Sequence, residues 1–196
     1  VNNQIEKEYL SNLKTEFPNV SYKIMGQAEE AADSGKRLGI AFLISIILIM
    51  ITISLNFKSF YQARLILMVV PIGVFSAILG HGIIGKPFSI MSVWGVVALI
   101  GILVNDAVVM LDKYNRNLEE GMDMEQAVIG AGKSRFRAII LTTITTFVGL
   151  FPLILEKSFQ AQFLIPMAIS VAFGVLFGTI ILLLYFPSLI MYFNDI

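Results

Sequence analysis

The chain has 196 residues, 57% of them apolar and only 14% charged, and its fourteen basic and fourteen acidic side chains cancel. A mean hydropathy of +0.81 is above what a water-soluble domain carries, so lipid is the solvent for most of the chain. The charge balance leaves no basic face for a nucleic acid, and the lack of cysteine removes disulfides, thiolate metal sites and cysteine nucleophiles.

The opening residues are polar and lack the basic-then-apolar order of a signal peptide. From Val1 to Phe17, Ile5, Tyr9, Leu10 and Leu13 recur among charges, the pattern of an amphipathic helix. Pro18 and Asn19 turn the chain, and Val20, Tyr22 and Ile24 alternate with polar residues as in a short strand. One helix and one strand cannot enclose a core. Residues 1–36 therefore read as a short α/β stub, the tail of a larger extracytoplasmic domain.

Beyond residue 36 the charges divide the sequence. Twenty uncharged residues separate Arg37 from Lys58, 21 separate Arg64 from Lys86, and 18 separate Arg137 from Glu156. Between Lys86 and Asp112 the only charge is Asp106, and from Ser158 to Asn194 there is none. A bilayer core of ~30 Å takes ~20 residues of helix, and only helices or closed barrels satisfy their backbone in it. The apolar runs are continuous rather than alternating, which predicts an all-α integral membrane bundle with transmembrane helices over about 38–56, 64–84, 88–111, 137–155 and 163–186. The last run outlasts one span, so its end is expected to leave the membrane near Pro187. Pro71 and Pro152 are expected to kink their helices.

Lys58, Arg64, Lys113, Arg116, Lys133, Arg135 and Arg137 flank one membrane face, against Lys86 and Lys157 on the other. By the positive-inside rule the first face is cytoplasmic, which puts the N-terminal segment outside and the C-terminus inside. Phe57, Phe60, Tyr61, Tyr114, Tyr192 and Phe193 sit near the cytoplasmic boundary, as an aromatic belt does. In the loop 112–136, Asp123 and Gln126 form a capping-box pattern that opens an amphipathic helix through Ala131, expected along the membrane surface.

Asp106 is the one ionisable group in the middle of a span. A charged carboxylate at mid-bilayer costs ~2.5–3.5 kcal/mol on insertion scales. Lys113 is seven positions on, ~10 Å along the helix, too far to neutralise it. Asp106 is therefore either protonated or paired outside this chain, and either state makes it a candidate proton carrier. A structural polar contact is the competing reading. Asn105 beside it needs hydrogen-bond partners, and Gly95 and Gly101 permit close approach of a neighbouring helix. In the next helix Thr142, Thr145, Thr146 and Gly149 share one face, with Thr143 beside them. Such a hydroxyl stripe suits a proton relay, although threonines in membrane helices also bond back to their own helix. His81, near the outer end of its helix, reads as interfacial rather than as a ligand. There is no phosphate-binding loop, no Ser/His/Asp set and no histidine cluster, so neither an enzyme, a cofactor nor a metal site is expected.

Taken in order, these features resemble the resistance-nodulation-division (RND) transporter family. Tyr22 to Glu30 is similar to the segment leading from the porter domain into that family's eighth helix, and Leu55 to Phe60 to the turn after it. Val70-Pro-Ile-Gly resembles the ninth helix, and Gly101 to Asp112 the tenth. Arg135 to Thr143, then Gly149-Leu-Phe-Pro-Leu, resemble the eleventh. The resemblance covers essentially the whole chain. It implies the C-terminal transmembrane half, helices eight to twelve, of a proton-driven exporter of amphiphilic molecules. It also implies a trimer in the bacterial inner membrane, often joined to a periplasmic adaptor and an outer-membrane channel, with the N-terminal half of the same protein as an essential partner. The family's drug pumps carry a relay lysine in the tenth helix. Asn105 stands at the matching position, followed by Asp106, and Thr142 matches the eleventh-helix relay threonine. The expected relay is Asp106, Asn105 and Thr142, supported by Thr143, Thr145 and Thr146. A protein-translocation accessory subunit and a non-transporting assembly module are the alternatives.

Overall fold

The structure is a computed structural model that describes residues 27–194, with side chains over 34–192. The helix and strand expected within residues 1–24 lie outside the described residues. The chain divides into two compact units, 1–38 and 39–196. Of the first, residues 27–38 are helical.

Among the described residues six helices follow one another: α1 (Gln27–Phe57), α2 (Phe60–Leu67), α3 (Val69–Ile84), α4 (Ile90–Glu119), α5 (Met124–Leu155) and α6 (Phe159–Asn194). Among the described residues five stretches are long and apolar enough to cross a membrane, with α2 and α3 together forming the second, Phe60–Ile84. The chain is an all-α membrane bundle. α1, α4 and α5 outrun their charge-free windows, because the backbone ladder continues into polar surroundings.

That difference corrects the loop expected over 112–136. α4 runs to Glu119 and α5 starts at Met124, leaving a tight turn around Gly121, whose φ of 87° is left-handed. Asp123 does cap the helix, accepting from the Gln126 N–H at 2.7 Å. The segment it opens is continuous with the membrane span through Leu155 and is not a separate surface helix. Asn117 closes the turn by donating from Nδ2 to the Ala127 carbonyl (2.9 Å).

The prolines act unequally. Pro71 has no N–H for the Leu67 carbonyl, and the second span is interrupted there, at Met68. The helices containing Pro152, Pro166 and Pro187 continue past them, so α6 does not end near Pro187.

α6 is the pivot of the second unit, packing against α3, α4 and α5. Lipid-facing surfaces supply no hydrophobic drive for helix association, so close approach over small residues is what holds such a bundle. Along α4 and α6 these residues alternate. Gly95 lies against Met167 and Ser170, Leu99 fills the space over Gly174, and Leu103 fills that over Gly178. The same offset sets Ala107 level with Leu182, both buried in the core. α1 joins this core only through Ile53 and the partly buried Phe42, Ile49 and Phe57.

A methyl group at Gly95 would come within 2.6 Å of the Met167 carbonyl oxygen, a backbone atom that cannot swing aside, whereas Gly101 has open space around it. Gly95→Ala is therefore expected to destabilise the purified full-length protein by about 1–3 kcal/mol. Gly101→Ala is expected to leave thermal unfolding in detergent unchanged. Equal melting shifts for the two would show that the seam is not close-packed.

Candidate functional site: the buried carboxyl of the fourth helix

α4 carries two adjacent polar residues that helix geometry turns about 100° apart. Asp106 is 9% exposed and lies on the packed side of α4 with Leu103, Ala107 and Met110. Its Oδ2 is buried with no hydrogen-bond partner. Among the described residues no ion pair includes it. Lys113 instead lies 3.9 Å from Glu120, and Arg116 pairs with Asp112 at 3.0 Å. An unpaired carboxylate cannot be held cheaply in such surroundings.

Asn105 points elsewhere. It is exposed within this chain and lines a cavity of about 410 Å³ between α1 and α4, together with Thr52, Asn56 and Gly101. Gly101, expected to admit a close neighbour, opens onto that cavity; Gly95 is the glycine in contact.

The threonines of α5 divide in the same way. Thr142 and Thr145 are exposed and bond back to their own helix, Thr142 to the Ala138 carbonyl (3.1 Å) and Thr145 to that of Leu141 (2.9 Å). Thr146 is half-buried. Thr143 is buried, with its Oγ1 2.9 Å from both the Ile139 carbonyl and Oγ1 of Thr179 on α6. A hydroxyl has one proton to give, so when Thr143 donates to Ile139 it accepts from Thr179. The structure thus brings Thr143, not Thr142, into the interior shared with α6, and it does not bring Thr142 to Asp106.

Two residues of the interior were not read from the sequence in this way. Arg135, read there among the basic residues that flank one membrane face, is half-buried and has its Nε buried without a hydrogen-bond partner. Its spacing from Ala131, Ile139 and Thr143 puts it on the inward stripe of α5, a signal present in the sequence. His81, expected at the interface, is 4% exposed. Its Nε2 lies 3.0 Å from Ser170 Oγ and its Nδ1 3.1 Å from the Lys86 carbonyl. A carbonyl only accepts, so Nδ1 carries the proton and His81 ties α3 to α6. Tyr114 is likewise buried rather than part of a lipid-facing belt, while Phe60 and Tyr192 are exposed.

The chain matches the AcrB/AcrD/AcrF family over residues 2–194. It belongs to that family, which is of the RND type. It is 31% identical to the swarming motility protein SwrC of Bacillus subtilis over 86% of its length, which is 16% of that relative. It is 28% identical to the multidrug resistance protein MdtC of Proteus mirabilis over 87% of its length and 17% of the relative. Against the nickel and cobalt resistance protein CnrA of Cupriavidus metallidurans the identity is 27%, over 84% of this chain and 15% of the relative. A crystal structure of a heavy metal efflux pump superposes with a TM-score of 0.79 at 24% identity, covering 95% of this chain and 19% of that one. The chain thus spans about a sixth of the curated relatives it matches.

Thr143→Val is expected to leave Thr179 unsatisfied and to cost about 1–3 kcal/mol, whereas Thr142→Val is expected to be close to neutral. Thermal unfolding of the two variants checks this. A larger loss for Thr142 would mean that the inward face of α5 has been assigned to the wrong residues.

Proposed function

We propose that this chain forms helices eight to twelve of a proton-driven efflux transporter that exports amphiphilic small molecules. The observation that carries the reading is Asp106, a carboxyl nine-tenths buried with an oxygen that no described residue satisfies. A purely structural position would be filled at lower cost by a neutral residue. A group that alternates between neutral and charged forms gives α4 two packing states, which alternating access requires. Asn105 faces outward from this half, where the rest of the transporter offers partners, and Arg135, with its Nε buried and without a hydrogen-bond partner, lies on the inward stripe of α5. Thr142 and Thr145 contribute on the outer face of α5, Thr143 on the inner one, and the half-buried Thr146 at its edge.

The same reading makes residues 1–36 the end of a periplasmic porter domain and 37–196 the transmembrane domain. The whole protein is then a homotrimer in the bacterial inner membrane, working with a periplasmic adaptor and an outer-membrane channel. The seven-to-two basic asymmetry sets the N-terminal segment in the periplasm and the C-terminus in the cytoplasm. Cysteines introduced at Ser59 and Ser158 test that orientation. Ser158→Cys is expected to react with an impermeant reagent from the periplasm, and labelling only from the cytoplasm would reverse the topology.

Coupling is tested on the full-length transporter in proteoliposomes, with ethidium and Ni²⁺ as separate cargo. Asp106→Asn keeps the shape and removes the titration. It is expected to abolish gradient-driven ethidium export with normal expression and assembly. Wild-type export by this variant would reduce Asp106 to a packing residue. Export of Ni²⁺ but not ethidium would place the protein with metal exporters such as CnrA.

A further inference from the structure

The two halves of the second membrane span are fastened to different helices. α2 is held to α4. Gln62 Nε2 donates to Asn115 Oδ1 (2.9 Å), and Asn115 Nδ2 donates back to Gln62 Oε1 (3.0 Å), a closed ring of two hydrogen bonds between side chains 53 positions apart. Ala63 and Ile66 of α2 are fully buried in the same core as Met110, Leu111 and Tyr114 of α4.

α3 packs on α4 through Gly73, but its outer end is fastened to α6. Gly80 seats the ring of Phe173, and His81 meets Ser170 at 3.0 Å. Between the two halves, the Met68 N–H is shared between the Arg64 and Leu65 carbonyls at 3.2 Å each. Because Pro71 has no proton to offer Leu67, the joint lacks the bond that would make one rigid rod.

We infer that Gln62 and Asn115 form a clasp that makes α2 a part of α4, so that Met68 is a hinge where movement of α4 against α6 is absorbed. The inference rests on the reading of Asp106 as the coupling group, since that group lies on the packed side of α4. A span bonded to one helix at its inner half and to another at its outer half must bend when the two part. The bend falls where the hydrogen-bond ladder is already open. Gln62 and Asn115 are positioning residues in this scheme and touch neither proton nor cargo.

Spin labels in the full-length transporter, otherwise free of cysteine, test the hinge. The exposed positions Phe60 (α2), Leu118 (α4) and Leu184 (α6) serve as sites. Distances are measured in proteoliposomes at rest and under a proton gradient with ethidium present. The α2–α6 distance is expected to change between the two conditions while the α2–α4 distance holds.

Asn115→Leu is expected to broaden the α2–α4 distribution, and the reciprocal pair Gln62→Asn with Asn115→Gln to sharpen it again. Pro71→Ala restores the donor to Leu67. It is expected to slow export several-fold while the fold and the α2–α4 distance are kept. An α2–α4 distance that changes as much as α2–α6, or an α2–α6 distance that stays fixed while export proceeds, overturns the hinge. Neither outcome bears on whether Asp106 titrates. Conversely, export by Asp106→Asn would remove the coupling role while leaving these distances to be judged on their own.

Discussion

The close approach of α4 to α6 sets the depth and direction of everything polar in this half-bundle. In water two apolar helices associate because water expels them; in lipid they need contact that lipid cannot match. Here Gly95, Gly174 and Gly178 give that contact by letting a neighbouring backbone or leucine fill the place of a side chain. Once the helices meet at that distance, the residues between them exclude both lipid and water. Asp106 sits on the excluded side and Asn105 does not.

This division gives the two neighbours different work. An amide at the surface of a half-bundle can be satisfied by a helix from the rest of the protein. A carboxyl inside it is satisfied by a proton, by a cation that reaches it, or by movement of the helix that carries it. Arg135 is the notable cation, since its Nε is also buried and unsatisfied. The buried pair Thr143 and Thr179 and the His81–Ser170 contact pin α6 to α5 and α3 at two levels, whereas among the described residues no side-chain hydrogen bond joins α4 to α6. The clasp between Gln62 and Asn115 extends the same unit to α2.

Much of the fold is legible in the sequence, because membrane insertion leaves a coarse mark. The uncharged runs bounded by Lys58, Arg64, Lys86, Arg137 and Glu156 each fall on one of the long apolar helices. Helix ends were not legible from that mark, since hydrogen bonding carries α4 to Glu119 and α5 back to Met124 through polar sequence. The break at Met68 followed from Pro71, yet Pro152 and Pro187 left their helices running, so a proline alone does not say where a helix stops. Asp106 stood out by its charge. The facing of the threonines did not, because a continuous apolar helix offers no polar side to tell inside from outside. Thr142 and Thr143 differ only in which way the neighbouring helix lies. The contacts of His81 were hidden for a related reason: its partners, Ser170 and the Lys86 carbonyl, are invisible until α6 is folded against α3.

The inward facing of Asp106 is tested most directly by cross-linking. The chain has no cysteine of its own, so pairs can be placed at will. Asp106→Cys with Leu182→Cys on α6, and Asn105→Cys with the same partner, are compared in the full-length transporter with a short bifunctional thiol reagent. Efficient linkage of the Asp106 pair, with little from the Asn105 pair, is the expected result. Linkage of Asn105 to Leu182 with none from Asp106 would contradict it, because α4 would then turn the carboxyl away from α6.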